Sequence, residues 1–311
     1  MSPAVLLGLD AGGGGARCLL LDAQNGAVTT AIRPWKHSVT PETGGLGRDL
    51  DLAALWASLA DATHEALARA GLKSRDVVGV ATTSMRFSTV VLGPGAQLLL
   101  ATPNRDARAS LEGLRLAADH GPELHRRSGH WPSPICTAAR LRWLATREAG
   151  AQLRAPGAAV LALSDWLTWR LCGEITAERS HAGSTLLFDF EADDWAWDLI
   201  DRFQLPRAAF PRLVASGTRV GALAAEAAAA LGVPAGIPVG VGGADTPCGL
   251  LGAGVVDPGE TAVVAGTTAP VQQVTERPVL DPDCRLWIGT HVVPGRYVLE
   301  SNAGSMGETL E

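Results

Sequence analysis

Val5 to Leu9 is a short, mostly apolar run that leads into Asp10; the glycines Gly12 to Gly15 follow, and a second apolar run occupies Cys18 to Leu21. This pattern predicts two strands joined by a glycine turn. Leu52, Leu55, Trp56, Leu59, Ala62 and Ala66 then recur at the three-and-four spacing of one helix face, with Asp51 placed to cap the free N–H groups at its start. Val77 to Ala81 reads as a buried strand. Strand, glycine turn, strand, helix, strand is the order of an α/β domain.

Further along, Thr89–Leu92 and Gln97–Leu100 flank Gly93, Pro94 and Gly95, a hairpin signal, and the pattern beyond becomes helical through Leu141, Trp143 and Leu144. Ala159 to Leu163 is strand-like, Asp165 to Leu171 has helical spacing with Gly173 as its C-terminal cap, and an alanine-rich helix is expected around Ala222 to Leu231. Pro238 to Gly242 reads as another buried strand, and it delivers Asp245. Pro258 and Gly259 break the periodicity, which divides the chain into residues 1–254 and 255–311. The second unit offers strands at Ala262–Ala265, Val271–Val274, Leu286–His291 and Tyr297–Glu300, with a helix expected to begin after Gly304. Several strands with almost no helix to cover them predict the beginning of a larger domain, truncated here. Uncovered strands also predict that the isolated chain associates, a homodimer being the simplest form.

The 311 residues are 47% apolar, enough to fill a substantial core, and the net charge of −6 comes without any dense Lys/Arg cluster. The electrostatic footprint of a nucleic-acid binder is missing, so no nucleic-acid partner is expected. The five cysteines are scattered and never form a Cys-x-x-Cys pair, which argues against a disulfide framework and against a zinc site. No apolar stretch approaches the ~18 residues of a membrane span, and the opening MSPAVLLGLDAGG lacks the features of a signal peptide. A soluble cytoplasmic protein without membrane partners is the expectation.

Four polar constellations could carry chemistry. Glycines between two strands let backbone N–H groups approach a phosphate, Arg17 adds a cation, and Asp10 at the strand end could hold a magnesium ion or its water. The competing reading is a glycine-rich hairpin with a solvated Asp. In Gly242-Gly-Ala-Asp-Thr-Pro-Cys-Gly249, a buried strand ends at a carboxylate that opens a helix, where Asp245 could accept a proton from an attacking hydroxyl. Taken locally, an ordinary helix cap is the stronger reading. Ala265-Gly-Thr-Thr268 could wrap a second phosphate, or be simply a turn. Thr82-Thr-Ser-Met-Arg86 and Asn104-Arg-Asp-Ala-Arg108 cluster polar groups at the ends of apolar segments, as a polyol site or as a surface salt-bridge cluster.

The order of the pieces carries more than any one of them. LGLDAGGGGARCLLLDAQNG, ATTSMR, NRDAR, LSDWLTWRLCGE, HAGSTLLFD, GGADTPCGLLGAG and GETAVVAGTT together resemble the FGGY family of carbohydrate kinases over nearly the whole chain. The resemblance implies an α/β, actin-like ATPase fold with two ribonuclease-H-like domains, residues 1–254 binding sugar and residues 255–311 opening the nucleotide-binding domain, with ATP and Mg2+ in the cleft between them. It implies phosphate contacts from Asp10, Gly12, Gly13, Arg17, Gly266, Thr267 and Thr268, a catalytic base in Asp245, and sugar contacts from Met85, Arg86, Asp106 and Arg108. The segments SMR, DARAS, SDWL and HVVPG look closest to the autoinducer-2 kinase branch, with xylulokinase as the neighbouring alternative; a non-catalytic sugar-binding fragment or pseudokinase of the family is the other reading. Two departures are specific: Phe87 stands where glycerol and autoinducer-2 kinases are acidic, and Asn104 replaces a common aromatic.

Overall fold

The computed structural model describes residues 3–264 and 268–305. Strands β1 (Val5–Gly12) and β2 (Gly15–Asp22) form the expected hairpin, extended by β3 (Val28–Pro34). Along β1, Val5, Leu7, Leu9 and Ala11 are buried while Leu6 is 44% exposed, the period-two alternation of a sheet with one covered face. The cover is helix α1 (Leu52–Ala70), whose buried Leu55, Leu59, Ala62 and Ala66 pack on that face. Asp51 caps it by accepting from the N–H groups of Ala53 and Ala54, at 3.0 and 2.9 Å, and Gly71 ends it in the left-handed conformation. Such a cap stabilises by about 1 kcal/mol.

β4 (Val77–Ser84) follows, then the hairpin of β5 (Thr89–Leu92) and β6 (Leu98–Thr102), helices α2 (Ser110–Ser128) and α3 (Thr137–Ala145), strand β7 (Ala159–Leu161) and helix α4 (Leu163–Cys172). The expected strand at Ala159–Leu163 therefore stops early. Asp165 Oδ2 accepts from the N–H of Ala162, 3.0 Å away, which caps α4 and turns Leu163 into its first residue. After the short helix α5 (Arg179–Gly183) come β8 (Arg219–Ala222), α6 (Ala225–Leu231), β9 (Pro238–Ala244) and α7 (Asp245–Gly252). Ala222 belongs to β8, paired with Pro238, so the alanine-rich helix begins three residues later than its composition suggests.

The main sheet has the order β8-β9-β4-β1-β2-β3, with β9, β4 and β1 parallel. β5, β6 and β7 make a second, three-stranded sheet. Two cores result, one of β1, β2, β4, α1, α4 and α6, the other around α2, α3 and the segment from Leu186 to Phe210.

The unit after residue 255 is an antiparallel sheet of β10 (Thr261–Val263), β11 (Thr268–Thr275), β12 (Trp287–Thr290) and β13 (Tyr297–Ser305), in the order β10-β11-β13-β12. It docks on the first unit where Ile288 N donates to Gly129 O at 2.9 Å and a ring nitrogen of His125 meets Leu286 O at 2.8 Å. The expected helix after Gly304 is not found at Gly304 and Ser305, which continue β13; the residues beyond lie outside those described.

Candidate functional site

Parallel strands present their carboxyl ends on one edge, where open α/β sheets bind ligands. Here that edge carries Asp10 on β1, Met85 and Arg86 just past β4, and Asp245 just past β9. The register holds them together: Asp10 pairs with Thr83, Ala11 with Ser84, and Ser84 with Ala244. A Cβ at Gly242 would lie 2.0 Å from Thr82 O, so glycine is what lets β9 run this close to β4. The end of β9 is pinned from both sides. Thr83 Oγ1 donates to Gly243 O at 2.7 Å, and Ala244 N donates to Ser180 Oγ at 2.8 Å. Ser180 is in turn held by the buried carboxylate of Glu178, which also accepts from Ser216.

Asp245 opens α7 without capping it: its Oδ1 accepts from the adjacent Thr246 N, at 2.8 Å, and the backbone N–H of Arg86 also faces its carboxylate. Its carboxyl is pushed up to about 6 by burial; the nearby Arg86 works against that shift and Asp10 adds to it. A carboxylate with a pKa near neutrality is suited to accept a proton. Asp10 is also raised, by burial, against the pull of Arg17, whose Nη1 donates to its Oδ2 at 2.8 Å. Its Oδ1 is buried and has no partner among the described residues.

The turn after Asp10 exposes Gly13 and Gly14, and Arg17 folds back across Gly12, where a Cβ would meet its guanidinium at 2.6 Å. The side chain of Asn104 lies against Gly13, so the loop of the NRDAR segment reaches the glycine turn. Gly266 and Thr267 lie outside the described residues; Thr268 begins β11, and its side chain is not among those described.

The four residues expected to touch sugar divide. Arg86 lines a small cavity with Gln272, Thr290 and Glu300, and its charge acts on Asp245. Met85 is fully buried, with its N–H donating to Ala11 O at 3.0 Å. Asp106, also fully buried, accepts from Arg48 N, Arg108 Nε and Arg140 Nε at 2.9, 2.7 and 3.1 Å. Arg108 continues that network to Asp49, Thr40 and Arg48 O. The structure thus joins Asp106 and Arg108 to each other in a buried ion-pair network whose hydrogen bonds, among the described residues, do not run to Arg86 or Asp245.

Arg140, Glu300 and Gln272 take part without having been read from the sequence. Arg140, fully buried, donates to Phe87 O, Pro103 O and Asp106 O, tying the turn after Arg86 to the NRDAR loop. Phe87 itself sits at φ 56°, a left-handed conformation that an L-residue adopts only under outside constraint. Its ring meets His130 and Trp287 edge-on, with centroids 5.6 and 5.4 Å away. From the four-stranded sheet, Glu300 on β13 forms a two-pronged ion pair with Arg86, and Gln272 on β11 donates to the same carboxylate. The one sequence signal for Glu300 was its phase, two residues from Val298 on the buried face of a strand.

Among the described residues no cluster of three or more His, Cys, Asp or Glu is placed to hold a metal, and no helix is long and apolar enough to cross a membrane. The five cysteines are all free.

Residues 5–252 match the model of the FGGY family of carbohydrate kinases, N-terminal domain. Among curated proteins, the chain is 32% identical over 311 residues to the autoinducer-2 kinase of Escherichia coli (strain K12). It is 35% identical over 312 residues to the autoinducer-2 kinase of Enterobacter sp. (strain 638). Each alignment takes in 98% of this chain and 58% of the relative, so the chain spans less than two thirds of their length. Among solved structures, the xylulose kinase from Rhodospirillum rubrum superposes with a TM-score of 0.87 at 26% identity, over 98% of this chain and 62% of that one.

Proposed function

The chain belongs to the FGGY family of carbohydrate kinases, and from that premise we propose that it phosphorylates a hydroxyl of a small, autoinducer-2- or xylulose-like sugar at the expense of ATP, with Asp245 as the base. The observation that carries the reading is the carboxylate of Asp245. It lies at the shared edge of three parallel strands, beside Arg86, is not spent as a helix cap, and is pushed up to about 6. Residues 1–254 form the sugar-binding domain in this account, and those from 255 onward belong to the nucleotide-binding one.

The step needs little covalent help from the protein, since phosphoryl transfer is governed by positioning and charge stabilisation. Arg86 orients the acceptor so that its hydroxyl points at Asp245. As the acceptor oxygen attacks the γ-phosphorus, its proton passes to Asp245; the bond from that phosphorus to the bridging oxygen breaks and ADP leaves. The exposed backbone of Gly13, next to Gly12, and the Arg17 guanidinium face the phosphates, and Gly266, Thr267 and Thr268 are the candidates for further phosphate contacts. The buried Oδ1 of Asp10, unpartnered among the described residues, is a hard oxygen that would hold Mg2+. When bound there, the ion supplies neutralisation of charge on the phosphoryl oxygens.

The test is ADP release by the full-length protein against a panel of ketoses, polyols and dihydroxypentanedione. Acceptor-dependent release with at least one of them is expected. Release that is the same with and without every acceptor would refute the reading.

A further inference from the structure

The guanidinium beside Asp245 is already engaged. Arg86 Nη1 and Nη2 donate to the two oxygens of Glu300 at 2.6 and 2.9 Å, and Gln272 Nε2 adds a bond of 2.7 Å to the same carboxylate. The Glu300 side chain is 3% exposed and that of Arg86 16%, so this is a nearly buried, two-pronged pair. Such a fork uses the donors of the guanidinium that would otherwise grip a carboxylate, and it cancels the positive charge. Burial works against ionisation of Glu300, but the charge and hydrogen bonds of Arg86, with that of Gln272, hold its carboxyl below the usual range.

Among the described residues, no other Lys or Arg lines this cavity. His130, on the same cavity wall, is pulled down to about 4, chiefly by burial, and is neutral at pH 7. Asp245 and Asp10 add negative charge nearby. Two atoms on the cavity wall remain unspent: Gln272 Oε1 and Thr290 Oγ1 are buried and have no partner among the described residues. An amide oxygen accepts a hydrogen bond and a hydroxyl both donates and accepts, which suits an alcohol or a carbonyl. A carboxylate there would meet that of Glu300 and lose its water without gaining an unpaired cation.

We infer that Glu300, by occupying Arg86, sets the charge class of the acceptor: the site takes uncharged, hydroxyl-bearing molecules and rejects carboxylate-bearing ones such as aldonates. The inference rests on the reading of Arg86 as an acceptor-binding residue, and the experiment separates the two. D-Xylulose and D-gluconate are titrated by calorimetry into the wild-type protein, Glu300→Gln and Arg86→Gln. Glu300→Gln keeps the shape of the side chain and uncovers a buried positive charge, so its affinity for D-gluconate is expected to rise by about tenfold or more over wild type. No rise, with the fold verified by circular dichroism, overturns the inference. Should Glu300→Gln fail to fold, the wild type decides: D-gluconate must compete at least about tenfold more weakly than D-xylulose, the discrimination that an unpaired buried group can enforce, and equal competition overturns it. Unchanged D-xylulose affinity in Arg86→Gln would instead refute the acceptor-binding role of Arg86, while the gluconate comparison still reports on Glu300.

Discussion

At the scale of single residues, the site works by setting carboxylates apart. Asp245 is pushed up to about 6 by burial, whereas Glu300 is held below its ordinary value by Arg86, although both are buried near the same guanidinium. Glu300 takes the charge of Arg86 together with both its prongs and a bond from Gln272, whereas Asp245 takes no prong of Arg86 and feels the carboxylate of Asp10. A base must be ionised to work, so kcat/KM is expected to rise with pH through about 6 and level off above it. Below that limb each pH unit should cost about tenfold. A profile flat from pH 5 to 8 would remove Asp245 from the rate-governing step.

Elements place these residues, and one buried arginine ties the elements together. Arg140 on α3 bonds to the turn after β4 through Phe87 O, and to the loop after β6 through Pro103 O and both the carboxylate and the carbonyl of Asp106. Removing one partner of a fully buried pair leaves an uncompensated charge, so Arg140→Met is expected to lower stability by about 3–5 kcal/mol. Arg140→Met combined with Asp106→Asn should be less damaging than the sum of the two single changes, because the stranded charge is gone. Denaturant unfolding of the four proteins checks this, and strict additivity would contradict it. α1, the glycine turn, β9 and the position of Asp245 were legible because each is a local pattern with its own cap or breaker. The Arg140 network was not, since it joins residues such as Phe87 and Asp106 that are distant in sequence, and nothing in the pattern around Arg140 marks it as buried. Glu300 stayed hidden for the same reason, 214 positions from its partner Arg86. Where small residues dominate, as at Ala222, composition could not separate strand from helix, and the pairing with Pro238 decided it.

For the whole molecule, the main sheet keeps one face uncovered. Leu6, Leu19, Val28 and Ile32 are 44%, 39%, 55% and 52% exposed, and the register of β1, β2 and β3 brings them to one side. Val263 and Val271 are likewise exposed on the four-stranded sheet. Apolar surface of this extent on an open sheet predicts association of the isolated chain, seen by light scattering as a mass above 32.2 kDa. A monodisperse monomer would contradict it.

The two sheets meet at Arg86 and Glu300, and the account turns on the carboxylate beside that contact. The most direct measurement is the turnover and acceptor affinity of Asp245→Asn in the full-length protein. Loss of a positioned base is expected to lower turnover by roughly 10²–10⁴-fold while acceptor affinity stays within a few-fold of wild type. Turnover above about a tenth of the wild-type value would contradict the assignment of Asp245 as the base.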